Sequence, residues 1–173
     1  MFQIRKMTIT AMIAALTTIT SPIVVIPIGF AKIFPIQHFA NVLTGVLFGP
    51  FYAVAQALVV STIRNMSGTG SIFAYPGSVI GAFFAGWLFQ KTRKMEYAFV
   101  GEVIGTGIIG ALATYPIARL LMGQQTALFA FVPAFIVSSL TGALLAYGLL
   151  KMLLKNTYIG GIINENSINN RRV

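Results

Sequence analysis

AFVGEVIGTGIIGALATYPIARLL, residues 98–121, is the stretch that decides the fold. It carries one acid, Glu102, and one base, Arg119, in a run long enough to cross a bilayer core, which needs ~20 apolar residues for ~30 Å. Similar runs follow at Ala127–Leu150 and precede it at Ile72–Phe89, Phe51–Ile63, His38–Phe48 and Met7–Ile28. Each is a helix candidate by length and composition. The expected fold is all-α: an integral membrane bundle of about six transmembrane helices. Residues 1–155 form the membrane-embedded domain, and a polar, asparagine-rich cytoplasmic tail occupies 156–173.

Composition agrees. Hydrophobic residues make up 57% of the 173 positions and charged residues 9%, with a mean hydropathy of +0.84, far above a soluble domain. The net charge of +9 does not point to nucleic acid, because the basic residues sit in short clusters between apolar runs and form no continuous face. Arg5-Lys6 ahead of an apolar run has the look of a signal peptide. No small-x-small cleavage site precedes a soluble mature domain, so the run reads as the first transmembrane helix.

Gly49-Pro50 interrupts the stretch from His38 to Ile63, and a hairpin there is expected because proline lacks a donor and glycine loosens the turn. With that hairpin and a cytoplasmic N-terminus, Arg5, Lys6, Lys91, Arg93, Lys94, Lys151, Lys155, Arg171 and Arg172 lie inside. Only Lys32, Arg64 and Arg119 lie outside. A single span would strand Arg5-Lys6 on the wrong side. Both termini are therefore expected in the cytoplasm, with the segments around Lys32 and Arg64 outside.

Small residues recur four apart at Ala11 and Ala15, at Gly77, Gly81 and Ala85, and at Gly101 and Gly105. Such spacing lets helix backbones approach closely, within the chain or against a partner helix on the first span. Gln37, His38 and Asn41 are expensive in a membrane unless they face protein, water or ligand. The segment Arg64–Ser71 is dense in hydrogen-bonding groups, and Tyr75 after it offers a ring to a small polar ligand. Tyr115-Pro116 is expected to widen the cavity mouth through a proline kink.

Catalysis finds little support. The chain has three acids, one histidine and no cysteine, so it offers no disulfide framework, no thiolate and no histidine cluster for a metal. No nucleotide-binding loop or nucleophile with its base is present. Glu102 is expected about one turn from the cytoplasmic end, snorkelling or paired with a nearby lysine or arginine, on the face opposite His38. A membrane enzyme would need those two as an acid–base pair. A scaffold would bind no small molecule at all.

Pro35-Ile36-Gln37-His38, Asn41, Phe48-Gly49-Pro50, Arg64-Asn65, Gly68-Thr69-Gly70-Ser71 and Tyr75-Pro76-Gly77-Ser78-x-x-Gly81-Ala82 together resemble the ThiW family. These are hydroxyethylthiazole-specific S components of energy-coupling-factor transporters. The resemblance runs from the first helix through Tyr115-Pro116 and is most specific over Arg64–Ala82. It implies a six-helix subunit of the bacterial plasma membrane that captures its substrate from outside. It also implies association with a transmembrane coupling subunit and two ATPases, and toppling of the subunit in the membrane during release. The family's alanine-x-x-x-alanine face maps onto Ala11 and Ala15 as the docking surface. No cofactor or metal is implied.

The ligand implied is hydroxyethylthiazole, a neutral heteroaromatic alcohol. Phe34, Asn41, Asn65, Ser71 and Tyr75 would supply its aromatic face and hydrogen bonds, and Gln37, His38, Arg64, Ser78 and Tyr115 complete the candidate substrate-binding set. A neutral ligand does not require Arg64, which would brace its loop or meet a lipid phosphate. Intact thiamine is a cation, and no acid lies near the outer mouth to receive it. An S component for another vitamin or precursor is the alternative.

Overall fold

Proline and glycine punctuate the helices. In the computed structural model, which describes residues 2–28, 31–123, 125 and 127–154, helix α1 spans Phe2–Thr20. It ends ahead of Ser21-Pro22, since a residue before proline is pushed out of the α region. The run to Ile28 is therefore not all helix, as the hydropathy had suggested. Instead β1 (Ile26–Ile28) pairs antiparallel with β2 (Ala31–Ile33), Ile26 opposite Ile33 and Pro27 opposite Lys32.

Helix α2 covers Pro35–Phe48 and α3 covers Pro50–Met66, each opening on a proline whose missing N–H is no loss in a first turn. Gly49 joins them at φ 93°, a left-handed conformation that side-chain-bearing residues avoid. Then come α4 (Ala74–Thr92), α5 (Met95–Leu121) and α6 (Val132–Leu154). Six helices and one short antiparallel strand pair make the fold of the described residues. The polar tail expected over 156–173 lies outside the described residues.

Helix α5 is not a uniform rod. It widens into π-helical turns over Gly105–Gly110 and again over Ile117–Leu121, the second directly after Pro116 removes a backbone donor. Helix α4 packs against α2, α3 and α5, and α2 also packs against α6. A Cβ on Gly105 would sit 2.9 Å from Gly81 Cα, and one on Gly110 only 2.5 Å from Gly77 Cα. The glycine stripes of α4 and α5 thus pack against each other inside the chain, where missing side chains allow backbone contact.

Polarity is distributed as in a protein whose solvent is lipid. Ile4, Met7, Met12, Leu16 and Ile19 are exposed along α1, whereas Gln37, Asn41, Gln56, Arg64 and Glu102 are buried. Met95–Leu121 and Val132–Leu153 are long and apolar enough to cross a membrane by themselves. One apolar core cluster joins Val42 and Val46 of α2 to Ala85 and Phe89 of α4, Ala98 of α5 and Leu150 of α6. The polar side chains gather at the opposite end of α4, around its first turns.

Candidate functional site

Strand β2, the first turns of α2, α4 and α6 and the last turn of α3 converge on a cavity of about 270 Å³, small for a ligand pocket. Its walls are aromatic: Phe34, Phe73, Phe131 and Phe135. Gln37, His38, Ser71, Ser78 and Ser138 supply hydrogen-bonding groups, and Lys32 and Arg64 supply positive charge. The rim is tied together by Phe34, whose backbone N–H donates to Ser138 Oγ at 3.0 Å, fixing the hairpin exit against α6. An apolar box with a few convergent polar groups orients a small ring-bearing molecule.

Below the cavity lies a buried polar floor. Glu102 Oε1 is 2.8 Å from His38 Nδ1, 3.0 Å from Asn41 Nδ2 and 2.9 Å from Thr106 Oγ1. Asn41 Nδ2 also donates to Ser78 Oγ at 3.0 Å, and Thr106 Oγ1 to the Gly77 carbonyl at 3.0 Å. Glu102 is fully buried, and its Oε2 has no partner among the described residues. This corrects the expectation that Glu102 snorkels or pairs with a lysine or arginine on the face opposite His38. The hairpin and the first turn of α2 descend into the bundle, burying Ile33, Gln37 and His38, and so bring His38 down to Glu102.

The floor orients more than it reacts. With Glu102 Oε1 accepting from Nδ1–H, the His38 ring is held in one orientation. His38 lines the cavity, but Glu102 is sealed beneath it and does not.

Arg64 organises the other side. Its Nη1 donates to Gln37 Oε1 and its Nη2 to the Thr69 carbonyl at 3.0 Å, while the guanidinium lies 4.2 Å from the centre of the Phe34 ring. The Arg64 carbonyl in turn accepts from the backbone N–H groups of Thr69 and Gly70, both at 2.9 Å. Gln37 Nε2 donates to Ser61 Oγ at 2.9 Å, so α2 and α3 are joined through the same residues. Arg64 therefore braces its loop and faces the cavity at once.

Of the residues singled out in the sequence, Phe34, Gln37, His38, Arg64, Ser71 and Ser78 line the cavity together, with Asn41 immediately beneath. Asn65 does not line it: its Nδ2 donates to the Ser61 and Ser71 carbonyls at 2.8 and 3.1 Å, holding the loop closed. Tyr75 points away, its hydroxyl donating to Thr62 Oγ1 at 3.1 Å on the exposed side. Helical spacing explains this, since Ala74, Gly77 and Ser78 occupy the inward face of α4. Tyr115 is also elsewhere, accepting from Arg119 Nη1 one turn along α5. Tyr115-Pro116 therefore widens no mouth for this cavity.

Sequence reasoning missed Phe73 and the whole contribution of α6. Phe131, Phe135 and Ser138 recur at helical spacing on one face, and that periodicity was the available signal. A second, shallower groove of about 510 Å³ runs between α1 and α3, lined by Ala11, Ala15, Phe51, Tyr52 and Gln56 among others. Gln56 is buried, and neither atom of its amide has a partner among the described residues.

No curated protein and no solved structure matches the chain at a significant level. A small, largely aromatic cavity inside an apolar-surfaced helical bundle suits the transport of a small molecule, and the family model described as "Thiamine-precursor transporter protein (ThiW)" matches residues 7–156. The chain belongs to this family of membrane transporters, which are not enzymes.

Proposed function

We propose that the protein is the substrate-capturing S component of an energy-coupling-factor importer and that its ligand is the thiazole precursor of thiamine, hydroxyethylthiazole or a close derivative. The observation that carries this reading is the cavity of about 270 Å³ walled by Phe34, Phe73, Phe131 and Phe135, with His38, Ser78 and Ser138 as polar contacts. A flat heteroaromatic ring stacks between the phenylalanines, and its side-chain oxygen reaches the polar groups.

In this reading the cavity opens to the outside of the bacterial plasma membrane and both termini are cytoplasmic. The groove along Ala11 and Ala15 receives the transmembrane coupling subunit, which two ATPases drive. Lys32 and Arg64 at the cavity disfavour a cation, so intact thiamine is the poorer ligand.

Calorimetric titration of the purified subunit in detergent with hydroxyethylthiazole and, separately, thiamine tests the reading. Tight binding of the thiazole with weak binding of thiamine is expected. The reverse order would keep the transporter and replace the substrate; binding of neither would direct the search to another cofactor precursor.

A further inference from the structure

Arg64 is a buried cation without a counter-ion among the described residues. It is 1% exposed, and its partners are a side-chain amide oxygen, a backbone carbonyl and the Phe34 ring, all neutral. Its Nε is buried and donates to nothing among the described residues. Removing a charge from bulk solvent without an opposite charge is expensive, and dipoles and a ring face offset only part of it.

The acids nearby do not neutralise it. The described residues include two, Glu96 and Glu102. Glu96 sits at the start of α5 beside Tyr147, at the far end of α4 from the cavity. Glu102 is turned to His38 at 2.8 Å and pairs with no lysine or arginine among the described residues. Even with Glu102 counted as a carboxylate, Arg64 and Lys32 leave the cavity region with positive charge in excess, and both line the cavity wall.

We infer that the cavity contains an anion subsite between Arg64 and Lys32, and that the ligand is carried in with a phosphate or carboxylate on its side chain seated there. This rests on the cavity being the substrate site proposed above and specifies the chemical class it takes. The fork geometry of a guanidinium suits an oxyanion. Lys32, exposed at the rim, adds charge without being needed to hold the loop.

The test compares, on the full chain in phospholipid-free detergent, hydroxyethylthiazole, its phosphate ester and 4-methylthiazole-5-acetate, with inorganic phosphate alone as a minimal probe. The anionic thiazoles are expected to bind at least about tenfold tighter than the neutral alcohol. Lys32→Gln should narrow that ratio by about fivefold. It is the informative variant, because Arg64→Gln also loosens the loop.

Equal affinity for neutral and anionic forms, or a ratio unchanged by Lys32→Gln, overturns the subsite while leaving the thiazole reading intact. If no thiazole binds but phosphate raises the melting temperature of the wild type and not of Lys32→Gln, the subsite stands and the substrate reading fails. Stabilisation by phosphatidylglycerol, with none by phosphate or the ester, would assign Arg64 and Lys32 to a lipid headgroup and overturn the inference.

Discussion

His38 Nδ1 lies 2.8 Å from Glu102 Oε1, joining the first turn of α2 to α5 beneath the cavity. Asn41 Nδ2 and Thr106 Oγ1 meet the same oxygen, so removing the carboxylate takes the acceptor from His38 Nδ1–H and leaves Asn41 and Thr106 with only their bonds to Ser78 and the Gly77 carbonyl. Glu102→Ala is expected to destabilise the subunit by about 3–5 kcal/mol. Glu102→Gln, which keeps an oxygen for those donors, should lose about 1 kcal/mol. Reversible unfolding in mixed micelles measures both; an alanine variant as stable as the glutamine one would mean the network contributes nothing.

The aromatic walls and the outward tyrosine should separate cleanly in ligand binding. Phe135 lines the cavity, while Tyr75 is turned to Thr62 on the outer side of α4. Phe135→Ala should weaken hydroxyethylthiazole binding by about tenfold, chiefly through lost apolar contact. Tyr75→Phe removes only an exposed hydroxyl contact and should leave affinity within about twofold. Titration calorimetry decides, and a large effect at Tyr75 with none at Phe135 would place the ligand outside this cavity.

Sequence revealed the helices because lipid demands long apolar runs, and it revealed the break at Gly49 because only glycine and proline make such a joint cheaply. The hairpin over Ile26–Ile33 was hidden, since a short apolar segment reads the same as strand or helix. Depth was the harder quantity. Counting residues from the ends of apolar runs put Glu102 and His38 on opposite faces, yet the buried descent of Ile33–His38 joins them, a tertiary effect that no single run encodes. Tyr75 and Asn65 were chosen for their chemistry, but helical phase and loop bracing decide where they point. The phase of Phe131, Phe135 and Ser138 was legible and carried the missing wall.

Glycine in α4 tests how tightly the bundle is closed. A Cβ on Gly86 would lie 2.6 Å from both Pro50 Cα and Pro50 N, backbone atoms at the α2–α3 joint that cannot yield without moving α3. Gly86→Ala should therefore destabilise by about 1–3 kcal/mol through overpacking. Gly148 meets nothing within 4 Å, so Gly148→Ala should be neutral or stabilising by up to about 1 kcal/mol. Melting curves of the two single variants, side by side, give the comparison; equal shifts would deny the close approach at Pro50.

The groove between α1 and α3 supports the last prediction, which depends on the coupling-subunit reading. Ala11 and Ala15 are exposed along it, with Thr10 and Gln56 set into it as buried polar groups that have no partner among the described residues. Leucine at positions 11 and 15 would occupy open space, so the isolated subunit should fold and bind ligand within about twofold of the wild type, since small-to-large changes are costly only where packing is already dense. A docked helix, by contrast, needs small residues to approach, and the doubled side-chain bulk should abolish co-purification with the coupling subunit. Gln56→Leu keeps the shape of the groove while removing its hydrogen-bonding group, and a smaller loss of complex there would separate packing from polarity. Intact assembly of the Ala11→Leu, Ala15→Leu double variant would move the docking surface off this face of α1.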